Sequence, residues 1–204
     1  MGKRWEPFEE KARSQGFQII AGLDEAGRGP LAGPVVAAAV ILPRIRTLKG
    51  VADSKTLTAE QRERALSLIQ KKALGVGIGI VEAQEIDRLN ILQASLKAME
   101  LALKGLSLPP DFLLIDGLHS LTVPLKQQAI VKGDGRCLSI AAASIVAKVT
   151  RDRLMVVYHD KYPEYNFARH KGYGTREHLQ AIRKHGCCPI HRQSFRTIYQ
   201  LPLL

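Results

Sequence analysis

Four acidic residues in this sequence have the type and position needed to bind divalent metal ions. Asp24, Glu25, Asp116 and Asp134 each lie within two residues of a glycine, at or just beyond a predicted strand. Carboxylates gathered at one place repel one another unless cations lie between them, and their oxygens select hard ions such as Mg²⁺ or Mn²⁺. Two such ions about 4 Å apart can activate water and stabilise the leaving oxygen of a phosphodiester. Asp-Gly is also a common turn sequence, so spacing alone leaves a solvated loop open as the alternative.

The elements that must position these acids alternate between strands and helices. Short apolar runs predict strands at residues 17–23, 35–42, 75–81, 112–115 and 128–132. Helical periodicity and capping signals predict helices after Thr58 and at residues 84–103, 138–159 and 176–184. The pattern predicts an α/β fold, a mixed sheet flanked by helices, whose first two strands form an antiparallel pair across a glycine-rich turn. Functional groups in open α/β sheets collect at strand ends, so the four acids are expected to share one site.

Asp24 and Glu25 are neighbours, which restricts how they can share a site. Adjacent residues of a strand point to opposite faces, so both can reach one site only if the strand ends or bends there. Gly27 and Gly29 permit such a bend.

The charge of the chain favours a polyanionic partner. Thirty Lys and Arg against nineteen Asp and Glu give a formal net charge of +11 over 204 residues, which favours nucleic acid first and an anionic membrane second. A basic protein without such a partner remains the alternative. No apolar run approaches the roughly 18 residues of a membrane span, and the start of the chain lacks an apolar secretory segment. We expect a cytoplasmic, monomeric protein.

The three cysteines do not have the spacing of a disulfide framework or a zinc ribbon. Cys137 stands alone, and Cys187 and Cys188 are adjacent. We expect reduced thiols, with a metal or redox site of Cys187, Cys188 and His191 as the alternative.

One unbroken string, DEAGRGPLAGP from Asp24 to Pro34, closely resembles the start of the catalytic region in type 2 ribonucleases H, called ribonuclease HII in bacteria. The agreement continues in order along nearly the whole chain, through Asp53-Ser54-Lys55, Ile115-Asp116-Gly117, Lys132-Gly133-Asp134, ASIVAK from Ala143, HKGYGT from His170 and HRQSF from His191.

This resemblance implies a ribonuclease H-like fold over a single catalytic domain, residues 1–204, with a small helical C-terminal part from about residue 176. It implies that Asp24, Glu25, Asp116 and Asp134 are the catalytic, metal-binding acids, with two Mg²⁺ or Mn²⁺ ions. The implied substrates are RNA–DNA hybrids and duplex DNA containing single ribonucleotides, cut to leave 3′-hydroxyl and 5′-phosphate ends. RNA primer removal and ribonucleotide excision repair are the implied roles.

The substrate-binding residues are predicted partly from this resemblance and partly from the residues themselves, with a plain tight turn and a solvated helix face as the alternatives. Recognition of a 2′-hydroxyl requires donors and acceptors close to the sugar, and the glycine-flanked turn around Arg28 can supply them. Tyr173, between two glycines, is the implied sensor of the ribonucleotide, although a local packing anchor is the alternative. Helix spacing places Ser144 and Lys148 on one face, with Arg151 or Asp152 one turn further on. The full predicted set is Gly27, Arg28, Gly29, Lys55, Ser144, Lys148, Lys171 and Tyr173.

Three other functions fit parts of the pattern. A non-catalytic RNA-binding module explains the charge but gives the acids no purpose. A type 3 ribonuclease H shares the fold but carries an additional N-terminal domain, and only about 18 residues precede the first predicted strand here. A transposase or resolvase on this fold is expected to space its acids differently.

Overall fold

The computed structural model describes residues 5–199, in which a five-stranded sheet carries helices on both faces. The strands are β1 Ile20–Ala26, β2 Val35–Ile41, β3 Gly75–Val81, β4 Phe112–Asp116 and β5 Lys126–Ile130. The helices are α1 Phe8–Ser14, α2 Ala59–Lys72, α3 Ala83–Leu89, α4 Ile91–Lys104, α5 Leu138–Lys161, α6 Phe167–His170, α7 Arg176–His185 and α8 Arg196–Tyr199. Residues 1–4 and 200–204 of the predicted domain lie outside the described part.

The sheet is mixed, as the alternation of elements predicts. Its order is β3-β2-β1-β4-β5, with β2 antiparallel to both β1 and β3. β4 runs parallel to β1, and β5 runs parallel to β4. The predicted α/β architecture and the antiparallel β1–β2 pair are therefore confirmed.

The interior strand β2, next to the central strand β1, is buried along its whole length because helices cover both faces of the sheet. Ala38 and Val40 pack with α2 and α5 on one face, whereas Ala37 and Ala39 pack with α3 and α4 on the other. Two-sided burial explains why β2 appears in the sequence as a continuous apolar run and not as an alternating one. Among residues 5–199, no helix is long and apolar enough to cross a membrane.

Two helices show the expected capping. The Thr58 side chain accepts a hydrogen bond from Gln61 N, and the Gln61 side chain accepts one from Thr58 N, which completes the predicted capping box at the start of α2. Thr175 caps α7 through His178 N, and Gly186 follows the helix with a φ of 76°.

The predicted helix over residues 84–103 is wrong in one respect, because Asn90 divides it into α3 and α4. Asn90 has a φ of 72°, and its Oδ1 accepts hydrogen bonds from the amides of Leu92 and Gln93. An asparagine tolerates the left-handed conformation and bonds to the local backbone, so it ends one helix and caps the next.

Several predicted boundaries also shift, and two helices, α1 and the short α6, were not predicted. β1 begins and ends three residues later than expected, since Asp111 accepts hydrogen bonds from the amides of Gln18 and Ile19 before the ladder starts. β5 lies two residues earlier than predicted, and Lys132, assigned to it, instead adopts a left-handed conformation. Helix α1 was missed; its Phe8 and Ala12 pack against Phe112 and Leu114.

Gly22 sets the distance between β1 and α5, the helix that carries Ser144 and Lys148. A Cβ at this position would overlap the backbone at the start of α5, lying 2.5 Å from Ile140 N. We expect Gly22→Ala to lower the free energy of unfolding by about 1–3 kcal/mol, the usual penalty for overpacking, as measured by urea denaturation.

Gly75→Ala is the matched control, because a Cβ there would meet no atom closer than 3.4 Å. It should change stability by less than about 0.5 kcal/mol. Equal effects of the two substitutions would show that close approach to α5 is not the constraint.

Candidate active site

A cleft opens where β1 and β4 cease to pair. Their parallel ladder ends at Leu23 opposite Ile115, while β1 continues to Ala26 against β2 alone. A cavity of about 370 Å³ lies at this point. Its lining brings together Asp24, Glu25, Ala26, Gly27, Ser54, Lys55, Arg62, Asp116, Ser144, Lys148 and Tyr173.

Asp24 is the most deeply buried acid of the cavity, with 5% of its surface exposed. Burial raises the pKa of its carboxyl well above the ordinary value, and the charges of Glu25 and Asp116 raise it further. Hydrogen bonds from the Ser144 side chain and from Glu25 N, the latter at 2.8 Å, oppose the rise. The site therefore holds Asp24 where its charge is poorly solvated and close to two other carboxyls.

The pKa values of Glu25 and Asp116 are also raised by burial and by neighbouring carboxyls. Burial raises the pKa of Glu25, and Arg28, whose Nη1 lies 3.2 Å from Glu25 Oε1, partly offsets this rise. Burial and then the charge of Asp134 raise the pKa of Asp116, whose Oδ1 accepts hydrogen bonds from Gly133 N at 2.6 Å and Asp134 N at 3.4 Å. Glu25 lines the cavity although β1 continues past it to Ala26, so of the two expected possibilities, a strand end or a bend, the strand end is wrong.

Asp134 lies beside the cavity and pairs with a lysine. Lys55 Nζ lies 2.7 Å from Asp134 Oδ2, and this hydrogen bond is the main reason that the pKa of Lys55 is raised. Lys55 was predicted to contact the substrate backbone, whereas here it neutralises one of the acids. The Lys55 side chain remains largely exposed, so this pair is open to solvent.

The donor chemistry of these residues suits a hard divalent cation, because every acid offers oxygen and burial disfavours their combined charge. Within residues 5–199, no three His, Cys, Asp or Glu side chains are placed to hold one ion in the present arrangement. Glu25 is instead paired with Arg28 and Asp134 with Lys55. Binding an ion would require these side chains to exchange a protein cation for the metal.

Three lining residues, Ala26, Ser54 and Arg62, were not among the predicted site residues. Ser54 Oγ lies 2.9 Å from Ser144 Oγ, and Arg62 donates to the Ser54 carbonyl at 3.0 Å. Ser54 belongs to the Asp53-Ser54-Lys55 motif that carries part of the family resemblance, so the sequence offered a signal for it. Arg62 lies in no such motif, so nothing in the sequence around it marks it as a cavity residue. Lys148, predicted to contact the phosphate backbone, lines the cavity and donates to Asp152 Oδ1 at 2.7 Å.

The glycine-flanked turn after β1 lies beside Tyr173. A Cβ on Gly29 would be 3.8 Å from the Tyr173 ring, and 45% of the Tyr173 surface is exposed. Gly27 has a φ of 100°, and a Cβ there would lie 2.7 Å from Pro34 O, so only glycine fits. Lys171 is not brought to the cavity, since its Nζ donates to the Ala168 carbonyl.

Comparison with known proteins identifies the family of this chain. The family model described as Ribonuclease HII matches residues 21–198. The chain belongs to the ribonuclease HII family. It is therefore a ribonuclease H, an endonuclease and hydrolase that acts on nucleic acid, and the type 2 assignment made from its motifs is confirmed.

Relatives and solved structures agree with this assignment. Ribonuclease HII of Syntrophobacter fumaroxidans is 60% identical over 188 residues, covering 92% of this chain and 81% of the relative. The ribonuclease H2 from Pyrococcus horikoshii OT3 has a TM-score of 0.77 at 28% identity, covering 90% of this chain and 97% of that one. Bst-RNase HIII in complex with Mn²⁺ has a TM-score of 0.67 at 19% identity, covering 95% and 72%, and shows the shared fold alone.

A buried histidine cluster holds the loop that carries Tyr173. His178 Nδ1 lies 2.9 Å from the Tyr173 carbonyl, and His178 Nε2 lies 3.0 Å from His191 Nε2. His191 Nδ1 lies 3.2 Å from Cys188 Sγ. Burial raises the pKa of the Cys188 thiol to about 11, so this cysteine is a protonated packing residue, as expected for a reduced thiol.

The cluster makes stability depend on pH. Burial lowers the pKa of His178 and of His191 to about 4, from an ordinary value of 6.5. The unfolded chain therefore takes up more protons than the folded one between pH 6.5 and 4, so the free energy of unfolding falls as the pH drops through this window. His178→Gln should weaken this fall by more than about 1 kcal/mol, measured by urea denaturation at several pH values.

His119→Gln, at an exposed position, is the control and should leave the pH dependence unchanged. Parallel pH profiles for the parent protein and His178→Gln would rule out the proposed protonation of His178.

Proposed function

We propose that this ribonuclease cleaves the RNA strand of RNA–DNA hybrids and incises duplex DNA on the 5′ side of a single embedded ribonucleotide. The products would carry 3′-hydroxyl and 5′-phosphate ends. One observation carries the proposal: three partly or fully buried acids share a single cavity with Gly27 and Tyr173. A site for phosphodiester hydrolysis thus adjoins groups suited to a ribose.

We further propose that two Mg²⁺ or Mn²⁺ ions are held by Asp24, Glu25, Asp116 and Asp134. The raised pKa values of the first three support this, because their cause is burial together with mutual repulsion that a cation would relieve. Such ions, when bound, supply activation of water and stabilisation of the leaving oxygen. The Mn²⁺ complex of a type 3 ribonuclease H with this fold is consistent with the choice of ion.

The basic and hydroxyl groups of the cavity suit a phosphate backbone. Lys148 and Arg62 place positive charge in the lining, and Ser144 adds a hydroxyl. Lys148 and Arg62 both lie near Asp152, at 2.7 Å and 4.0 Å, which orients their side chains without fully neutralising them. In this proposal they bind the strand to be cut, and Lys55 would be free to join them if a metal ion took its place beside Asp134.

RNA primer removal and ribonucleotide excision repair are the proposed roles of this activity. Both would be served by an enzyme that recognises a ribose within or beside DNA.

The decisive experiment incubates the protein with three labelled duplexes, containing one ribonucleotide, a continuous RNA strand or DNA alone. Each is tested with Mg²⁺, Mn²⁺ or a chelator, and the cut is mapped. Cleavage of the all-DNA duplex, or equal cleavage with the chelator, would contradict the proposal.

Asp116→Asn tests the role of the acids. The amide can still accept the hydrogen bond from Gly133 N, so the fold should survive. Loss of an unfavourably buried charge should leave the free energy of unfolding equal or higher. We expect cleavage to fall at least about a hundred-fold at saturating Mg²⁺, measured by single-turnover kinetics.

Asp160→Asn removes the same charge at an exposed position and serves as the control. Substantial turnover by Asp116→Asn, with the control unaffected, would remove Asp116 from the catalytic acids.

Tyr173→Phe and Tyr173→Ala test recognition of the ribose. The loop is fixed through backbone atoms, since Tyr173 N donates to His170 O and Tyr173 O contacts His178, so neither change should unfold it. If the ring packs on the sugar, Phe should keep much of the activity, whereas Ala should lose about 1–3 kcal/mol, or roughly ten-fold to a hundred-fold in rate. The loss should be larger on the single-ribonucleotide duplex.

The cleavage rates of both variants on the RNA–DNA hybrid and on the single-ribonucleotide duplex decide the role of Tyr173. Thermal melting checks that both variants fold. Small and equal losses on the two substrates would show that Tyr173 is only a packing residue of its loop.

A further inference from the structure

Two arginines beneath the turn after β1 are fully buried. Arg151 and Arg192 have no exposed surface, and their side-chain hydrogen bonds within the described residues go to backbone carbonyls. Burial lowers the pKa of Arg192 to about 9 and that of Arg151 to about 10, so both remain charged at neutral pH. Burying a charge is unfavourable unless it is well hydrogen-bonded, so these two positions call for a specific explanation.

The guanidinium of Arg192 binds carbonyls at both ends of the turn between β1 and β2, residues 27–33. Its Nη2 donates to the carbonyls of Gly27 at 2.6 Å and Gly33 at 2.8 Å. Its Nη1 donates to the Arg28 carbonyl at 3.0 Å, and its Nε donates to Gly33 O at 3.0 Å. The planar fork of arginine allows these bonds to form together, which the single ammonium of a lysine cannot reproduce.

These bonds fix the direction of two amide groups. In a planar trans peptide the carbonyl of one residue points opposite to the N–H of the next, and the described residues contain no cis peptide bond. Because Arg192 draws the carbonyls of Gly27 and Arg28 inward, the N–H groups of Arg28 and Gly29 face the exposed side. Neither amide donates a backbone hydrogen bond within residues 5–199. Both residues are exposed, and Gly29 adjoins the Tyr173 ring.

We propose that Arg192 is a positioning residue for recognition of the ribonucleotide, since it aims the amides of Arg28 and Gly29 at the 2′-hydroxyl. This inference rests on the proposed function. Arg192 does not touch the substrate, because it is buried below the turn. Its effect is to present two donors that are already oriented before the substrate binds, so no conformational freedom of the turn is lost on binding.

Arg151 provides a matched control. It is equally buried, and it donates to the carbonyls of Pro34 at 2.9 Å, Ala32 at 3.1 Å and Lys171 at 3.0 Å. It makes no hydrogen bond to Gly27 or Arg28. Arg151→Lys and Arg192→Lys should therefore destabilise the protein comparably, while only the second releases the two carbonyls that orient the amides.

The test measures affinity and not turnover. In the Asp116→Asn background with Mg²⁺, fluorescence anisotropy compares the Kd for duplex DNA containing one ribonucleotide with that for the same all-DNA duplex. Arg192→Lys should reduce this preference about ten-fold or abolish it, as expected for the loss of two oriented hydrogen bonds. Arg151→Lys should reduce it less than about two-fold, with a similar drop in Tm.

A second measurement needs no substitution at Arg192, in case that variant does not fold. Amide exchange followed by ¹⁵N NMR in Asp116→Asn should slow at Arg28 and Gly29 with the ribonucleotide duplex more than with the all-DNA duplex. Equal protection by the two duplexes would overturn the inference, as would retained preference in Arg192→Lys or equal losses in both lysine variants. Absence of any preference in Asp116→Asn itself would overturn the proposed function and the inference together.

Discussion

The structure depends on holding several carboxyl groups together where they are poorly solvated. Burial and mutual repulsion raise the pKa values of Asp24, Glu25 and Asp116, so their charged forms are unfavourable in the protein without compensation. The compensation comes from neighbouring groups: the Ser144 side chain, the Gly133 amide, and the cations Arg28 and Lys55. A site of this kind is stable only on a frame that cannot relax to separate the charges.

The sheet supplies that frame because its centre is covered on both faces. β2 is buried along its length and pairs with β1 beyond Leu23, where the ladder between β1 and β4 ends. Asp24 and Glu25 therefore lie on a part of β1 that has a neighbouring strand on one edge only. Helix α5 approaches β1 closely at Gly22, which brings Ser144 to the acids. Rigid packing and an open edge together explain why the cleft forms at the end of the β1–β4 ladder.

Features governed by local sequence could be predicted, whereas features governed by tertiary packing could not. The apolar run of β2, the capping box at Thr58 and the position of Asp116 at the end of β4 follow from periodicity and turn chemistry. Arg151 was placed by helix spacing on a face with Lys148, yet it is fully buried, and two of the three carbonyls that bind it, Ala32 and Pro34, belong to a segment more than a hundred residues away. The pairing of Lys55 with Asp134 depends likewise on a contact between distant parts of the chain. Strand-end positions made the four acids candidates for one shared site, and the family resemblance favoured that interpretation over solvated turns.

The two halves of the candidate site are fixed by different parts of the chain. The sheet and the turn after β5 fix the acids, whereas the segment after residue 176 fixes the groups proposed to recognise the ribose. His178 contacts the Tyr173 carbonyl, and Arg192 binds the carbonyls of Gly27 and Arg28. This segment also shares a buried cluster with Leu31 and Met155, so it is packed into the same body as the turn. The proposed hydrolysis and the proposed ribose recognition therefore depend on different segments: substitutions in the C-terminal segment are expected to change the turn and the Tyr173 loop, while the sheet keeps Asp24, Glu25 and Asp116 in place.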